Sequence, residues 1–368
     1  MVNIAFTGGG TGGHIFPGLA VAAELKRLLA GEYRIFWIGS SAGMDRGLVE
    51  EAGIEFLGVP SGKLRRYFSI KTAVDFFRVI SGFFAARKIL KKQKARLLFS
   101  KGGFVSVPPC AAAASLGIPV FTHESDFSPG LATRLNARFV LRTGGKIFTA
   151  YEDTARFFPE AVRRCIMLSG NPVRGIFRNA DAAMGKAFLG CADNARILLV
   201  LGGSQGAREI NELVRAALSG LTETYTVVHQ TGPNQAWDLP AAERYKPYPF
   251  IREELPHVMA AAELVLSRSG AGIWEFAVLG KPMLLIPLRG SASRGDQVEN
   301  ARYFEKAGAA RALMGEDVNP GQLVQAVNTL AYNTEERTIM AAASSRLGER
   351  DGAVFIAEIL ADKILDRR

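Results

Sequence analysis

Apolar residues in the first half of the chain fall in short continuous runs rather than in strict alternation. Val2–Phe6, Arg34–Ile38, Leu97–Phe99, Val120–Thr122, Lys146–Thr149 and Ile166–Leu168 each read as a strand buried on both faces. Helix-like stretches lie between most of them, the first from Leu19 to Leu29. This β-α-β-α order predicts a parallel, doubly wound sheet, on which ligands sit beyond the carboxyl ends of the strands. The pattern then restarts. Arg196–Leu201 reads as a strand and Ile210–Leu218 as a helix, with further strands expected at Tyr225–His229, Phe250-Ile251, Leu264–Ser267 and Met283–Pro287. Helices are expected at Asn300–Lys306 and from about Ala353 to Leu365.

Between the first strand and its helix stands Gly8-Gly9-Gly10-Thr11-Gly12-Gly13-His14, with five glycines in six positions. Without Cβ atoms such a backbone can approach a ligand closely, and the first turn of the helix turns its N–H groups toward an anion. The spacing Gly8, Gly10, Gly13 also fits a dinucleotide fingerprint, but the second strand runs into Gly39-Ser40-Ser41, where no carboxylate waits for a ribose. The reading is therefore a phosphate loop and not a nicotinamide site. Lys101-Gly102-Gly103-Phe104-Val105-Ser106 forms a second glycine loop after its own strand. Two such loops at one sheet edge suit a diphosphate. His123-Glu124-Ser125-Asp126, at the end of a buried strand, is either active-site machinery or the cap of the run that starts at Ser128-Pro129.

The opening motif recurs about 194 residues later as Gly202-Gly203-Ser204-Gln205-Gly206-Ala207. Two similar strand, loop and helix starts imply two similar domains facing across a cleft that holds the ligand. The expected division is 1–173 and 174–345, with a C-terminal helix at about 346–368 packing back on the first domain. In the second half, Arg268-Ser269-Gly270-Ala271-Gly272 makes a small-residue turn before Glu275, whose carboxylate could accept both hydroxyls of a ribose.

Charge narrows the partners further. The net charge is +10, yet residues 61–101 alone carry twelve Lys or Arg against Asp75, so the remainder of the chain is close to neutral. Within that segment Ile70–Leu90 spreads its apolar residues over about 200° of helical arc, more than one packing face requires. Apolar surface fringed by cations predicts contact with an anionic membrane surface rather than with nucleic acid, for which no reading motif is present. Three scattered cysteines and four histidines argue against a zinc site and suit a reducing cytoplasm. No apolar run reaches the length of a membrane span, and no signal peptide precedes the first strand, so a soluble protein is expected.

Taken in order, GGGTGGH, GGFVS, HESD, GNPVR, GGSQGAR, SRSGAG followed by Glu275, and SRGDQ resemble the motif series of MurG-type N-acetylglucosaminyltransferases, from Phe6 to about Gly308. The resemblance implies a GT-B fold of two Rossmann-like domains and an inverting, metal-independent transfer without cofactor. GlcNAc would move from UDP-GlcNAc to the C4 hydroxyl of the MurNAc in lipid I, giving lipid II at the cytoplasmic face of the bacterial membrane. It assigns Thr11, Gly12 and Gly13 to the donor's sugar-phosphate side, and Arg174 and Ser204 to its nucleotide diphosphate. Ile251 would hold the uracil through its backbone. Glu275 would take the ribose, with Ala271 beside it, and Gln297 would read the GlcNAc hydroxyls. Gly10, Gly102, Gly103 and Ser106 would cradle the diphosphate of lipid I. Phe76, Val79, Phe83, Arg78 and Arg87 would rest on the membrane. His14, at a helix N-terminus that disfavours its protonation, is the expected general base, with Glu124 and Asp126 as rivals.

Three departures bear on these roles. Many members of the family carry HEQN, so Asp126 stands here in place of an asparagine and can accept but not donate. Glu275 lies one residue closer to Gly270 than is usual, and Asp296 replaces the first glutamine of a usual pair. Other functions open to these residues are transfer to a different lipid, a non-catalytic UDP-sugar sensor, and epimerisation of free UDP-GlcNAc.

Overall fold

The computed structural model describes residues 2–365 except 11, 30, 32, 42–44, 63–69, 204, 236, 289–294 and 315–317, and describes no side chains for 70–76. The chain divides into two compact units, Met1–Arg174 with Arg350–Arg368, and Gly175–Glu349.

The first unit holds a seven-stranded sheet of β1 (Val2–Thr7), β2 (Tyr33–Ser40), β3 (Glu55–Val59), β4 (Ala95–Ser100), β5 (Val120–Glu124), β6 (Ile147–Thr149) and β7 (Ile166–Leu168). Its spatial order is β3-β2-β1-β4-β5-β6-β7, and every pairing is parallel. Alternate residues of each central strand feed two separate cores. Ile4, Phe6, Trp37, Leu97 and Phe99 face one layer, while Ala5, Phe36, Ile38 and Leu98 face the other. That is why these strands read as unbroken apolar runs. The C-terminal helix Gly352–Leu365 belongs to this unit, burying Ile356, Leu360 and Ile364 against Val21 and Leu25 of the helix Gly12–Leu28.

The second unit holds β8 (Ile197–Leu201), β9 (Thr226–Gln230), β10 (Tyr245–Tyr248), β11 (Leu264–Ser267), β12 (Met283–Leu285) and β13 (Ala310–Ala312) in the order β10-β9-β8-β11-β12-β13, again all parallel. In both units the strand order reverses beside the first strand, between β1 and β4 and between β8 and β11. A reversal leaves the following loops diverging to opposite faces, so a crevice opens there. Each pair of glycine loops read from the sequence flanks one of these switch points.

Some expected elements move. Phe250-Ile251 is not a strand, because the edge strand β10 ends at Tyr248 and Ile251 follows it in irregular chain. The helix expected from Leu19 already begins at Gly12, and the strand expected to reach Pro287 stops at Leu285. The basic segment forms a helix from Ile70 to Lys92. Among the described residues no helix is long and apolar enough to cross a membrane.

Candidate functional site

At the first switch point the two glycine loops touch. Lys101 donates its N–H to the Thr7 carbonyl at 2.8 Å, extending the pairing of β4 with β1 into the loops. Gly103 has φ +77°, and a Cβ there would lie 2.6 Å from the Gly9 carbonyl oxygen and 3.3 Å from Cδ2 of His14. Only glycine fits that approach. Gly12, Gly13 and His14 form the first turn of the helix Gly12–Leu28, while Thr11 lies outside the described residues. The structure therefore gathers Gly10, Gly12, Gly13, His14, Gly102 and Gly103 at one edge of the sheet.

Two of the amides expected to cradle a diphosphate are engaged inside the protein. Gly10 donates its N–H to both carboxylate oxygens of Asp45, at 3.1 and 3.2 Å. Asp45 is 2% exposed, and burial pushes its pKa up, against the Gly10 hydrogen bond. A Cβ on Gly9 would come 2.1 Å from its Oδ2, so the glycine run makes room for this carboxylate. Gly102 donates to Ser100 Oγ at 3.1 Å. Ser106 is fully buried, donates to the Gly103 carbonyl at 2.8 Å and accepts from Asn136 Nδ2 at 3.0 Å. Its hydroxyl thus fixes the shape of the loop from beneath. Asp45, Ser100 and Asn136 went unnoticed in the sequence. Each is an isolated polar residue on its own element, and only the fold brings it under the glycines.

The motifs HESD and GNPVR meet in the same unit. His123 Nε2 lies 3.1 Å from the Gly170 carbonyl, and Ser125 Oγ donates to Asn171 Oδ1 at 2.6 Å. The carbonyl partner makes Nε2 the protonated nitrogen. Burial, then the nearby Lys101 charge, hold the His123 pKa well below the usual value, so the ring is neutral. Glu124 accepts from the amides of Asp126 and Gly130 at 3.1 and 3.0 Å, which commits its carboxylate to shaping the turn before the helix Leu131–Thr143. Asp126 is only half-buried. Arg174 lies with its guanidinium 4.7 Å from the Phe16 ring centroid, over the helix that carries His14.

At the second switch point the buried polar groups beside the loops include the amides of Gln230 and Asn300 and the hydroxyls of Ser267 and Ser269. Gln230, at the end of β9, accepts the Ile251 N–H at 2.9 Å and donates to the Gly203 carbonyl at 3.4 Å. Ile251 is thus tied to the glycine loop after β8, in which Ser204 lies outside the described residues. Gln297 accepts the Leu288 N–H at 2.8 Å, while Ser269 Oγ donates to its carbonyl at 2.7 Å. Its side-chain amide nitrogen lies 3.9 Å from where a Cβ on Gly270 would be, beside Ala271. Glu275 sits partly buried on the short helix Ile273–Val278. Arg268 pairs with Glu209, joining the loop after β11 to the helix Arg208–Thr222.

On the basic helix, Phe77 and Phe84 are 70% and 63% exposed, with Ile80, Arg78 and Arg87 also exposed. Val79 and Phe83 are partly buried, and Phe83 packs against the core. The outward face of this helix thus carries Phe77 and Phe84, about two turns apart, rather than Phe83. The side chain of Phe76 lies outside the described ones.

With this geometry in view, residues 4–144 match the glycosyltransferase family 28 N-terminal domain and residues 197–355 match the family 28 C-terminal domain. The chain belongs to glycosyltransferase family 28. Within family 28 it is 46% identical over 386 residues to the UDP-N-acetylglucosamine–N-acetylmuramyl-(pentapeptide) pyrophosphoryl-undecaprenol N-acetylglucosamine transferase of Treponema denticola, covering 98% of this chain and 97% of that one. It is 42% identical to the transferase of the same name from Shouchella clausii, over 99% of this chain and all of the other. The crystal structure of Acinetobacter baumannii MurG superposes with a TM-score of 0.74 at 25% identity, covering 98% and 99% of the two chains. The two parallel-sheet α/β units are those of the GT-B class.

Proposed function

We propose that this chain transfers GlcNAc from UDP-GlcNAc to the C4 hydroxyl of the MurNAc in lipid I, with inversion, to give lipid II. The observation that carries this reading is the full-length match, across both units and at 46–47% identity, to transferases named for that reaction. Fold likeness alone would leave other UDP-sugar chemistry open.

In this reading the first unit serves the acceptor. His14 takes the proton of the attacking hydroxyl, with Asp126 as the remaining rival, since Glu124 already spends its oxygens on two backbone amides. Well-placed general bases contribute about 10²–10⁴-fold. The second unit serves the donor. Ile251 meets the uracil through its backbone, Glu275 takes the ribose hydroxyls, and Gln297 presents its amide to the sugar. The Gly202–Ala207 loop meets the developing charge on UDP, a stabilisation by fixed dipoles and donors. The outward face of the helix Ile70–Lys92, with Phe77, Ile80 and Phe84 beside Arg87, Lys88 and Lys91, suits an anionic leaflet at the cytoplasmic side.

Radiolabel transfer from UDP-GlcNAc to a lipid I analogue, with UDP-glucose as control, tests the reading. Labelled product from UDP-GlcNAc alone supports it. Transfer to diacylglycerol but not to lipid I, or conversion of UDP-GlcNAc without any acceptor, would replace it.

A further inference from the structure

Lys101 opens the second glycine loop, yet its side chain turns into the protein and is 1% exposed. The nearby charges of Glu124 and Asp126 favour its protonated form, and burial opposes it. Taking an ammonium out of water costs several kcal/mol even after relaxation, and an apolar residue of the same length would pack there without that penalty. The side chain also lies where the two loops meet. Its Cβ is 3.1 Å from the position a Cβ would take on Gly8 and 3.7 Å from that on Gly18. The Glu124 and Asp126 carboxylates offset only part of this cost, since burial still lowers the Lys101 pKa. Glu124 is held by the amides of Asp126 and Gly130, and Asp45 by that of Gly10.

The loops meanwhile have fewer donors for an anion than their glycines promise, since Gly10 and Gly102 donate internally. A dianionic group seated there requires positive charge from elsewhere in the unit. We propose that the Lys101 ammonium is the fixed charge against which the acceptor's diphosphate is seated, a positioning residue beneath the glycine loops. The assignment rests on reading the first unit as the acceptor side. Burial lowers the Lys101 pKa to about 8, with Glu124 and Asp126 opposing the shift, so the group is still largely charged near neutrality. The His123 ring beside it stays neutral, and an arriving diphosphate restores the lysine's preference for its proton.

The test replaces the charge and keeps the length, with Lys101→Met and, as a second variant, Lys101→Gln. Transfer from UDP-GlcNAc to a lipid I analogue is followed with each substrate varied in turn. The expected result is an acceptor KM raised about tenfold or more, as for loss of one charge-assisted contact. The KM for UDP-GlcNAc and inhibition by UDP stay within about twofold, and the Tm of Lys101→Met rises by a few degrees as the buried charge is removed. In the unaltered protein, kcat/KM for the acceptor falls as pH passes about 8, and that limb is missing from both variants. An unchanged acceptor KM, a rise confined to the donor, or a lowered Tm would each overturn the assignment. No acceptor transfer by the unaltered protein would remove the functional reading and this assignment together, whereas normal transfer with an indifferent Lys101→Met removes this assignment alone.

Discussion

At the switch point between β1 and β4 the buried polar side chains include ionisable ones: Asp45, Lys101, His123 and Glu124, none more than 5% exposed. At the switch point between β8 and β11 the corresponding groups are Gln230, Ser267, Ser269 and Asn300, equally buried and all uncharged. The strand order around the two crevices is alike, so the difference lies in the side chains. Uncharged amides and hydroxyls, each with a backbone partner, hold a fixed surface of donors and acceptors. Such a surface suits a ligand recognised by its hydrogen-bonding edges, as a uracil and a sugar are. Charges in a low-dielectric interior respond strongly to another charge or to a proton. On the proposed reading the first crevice handles a proton and a lipid-linked diphosphate, and the second recognises the nucleotide sugar.

The sharpest way to break this contrast is His14→Ala. Turnover should fall about 10²–10⁴-fold while UDP binding, measured by calorimetry, survives. Near-normal turnover would take the proton transfer away from His14 and leave Asp126 to be tested next. The comparison also has a stability side, because the second unit buries its own histidine. His229 lies between Asn211 and Tyr245, and burial lowers its pKa to about 4. The unfolded chain binds this proton below about pH 6.5 and the folded one only near 4, so stability is lost as pH falls through that window. The full loss is roughly 3 kcal/mol. Urea unfolding of the intact chain at a series of pH values should show this slope, and His229→Gln should flatten it.

Paired glycine substitutions test loop packing next. Gly103→Ala meets both a positive φ and the Gly9 carbonyl, whereas Gly203→Ala, at φ +97°, has nothing within 4 Å of the new Cβ. Backbone strain of about 1–3 kcal/mol applies to both, but only Gly103→Ala must also move the neighbouring loop. Acceptor KM should therefore rise more in Gly103→Ala than donor KM does in Gly203→Ala. Equal effects would mean that the contact of the two loops is incidental. The smallest effect is expected from Gln230→Leu, which strands the Ile251 N–H and the Gly203 carbonyl at a cost of about 1–3 kcal/mol. Donor KM should rise several-fold with acceptor KM unchanged.

The central strands were legible because their residues face two cores, so an apolar run marks each one directly. The strands overlooked or misplaced are all at sheet edges: β3 with Glu55 and Gly58, β10 with Pro247, and β13 as Ala-Arg-Ala. An edge strand pairs on one side and is half open to water, so it tolerates charge, glycine and proline and carries little apolar signal. The glycine loops stood out for a related reason, since close backbone approach leaves its mark in residue type. Asp45, Asn136 and Gln230 left no such mark, because one polar residue on a helix or strand looks alike whether it faces water or a loop amide.

By itself, then, the order of residues determined the two parallel sheets, the phosphate-type loops, the cationic apolar helix and the family, because each rests on local periodicity or on motif spacing. Tertiary structure alone decided which groups those loops are occupied with. The Gly10 amide goes to Asp45, Ser106 faces inward, Phe83 turns to the core and Phe84 to the outside, and Lys101 is buried with its charge. Such matters depend on which distant segments converge at a point, and on the dielectric they create there. Neither quantity is a property of any single stretch of chain.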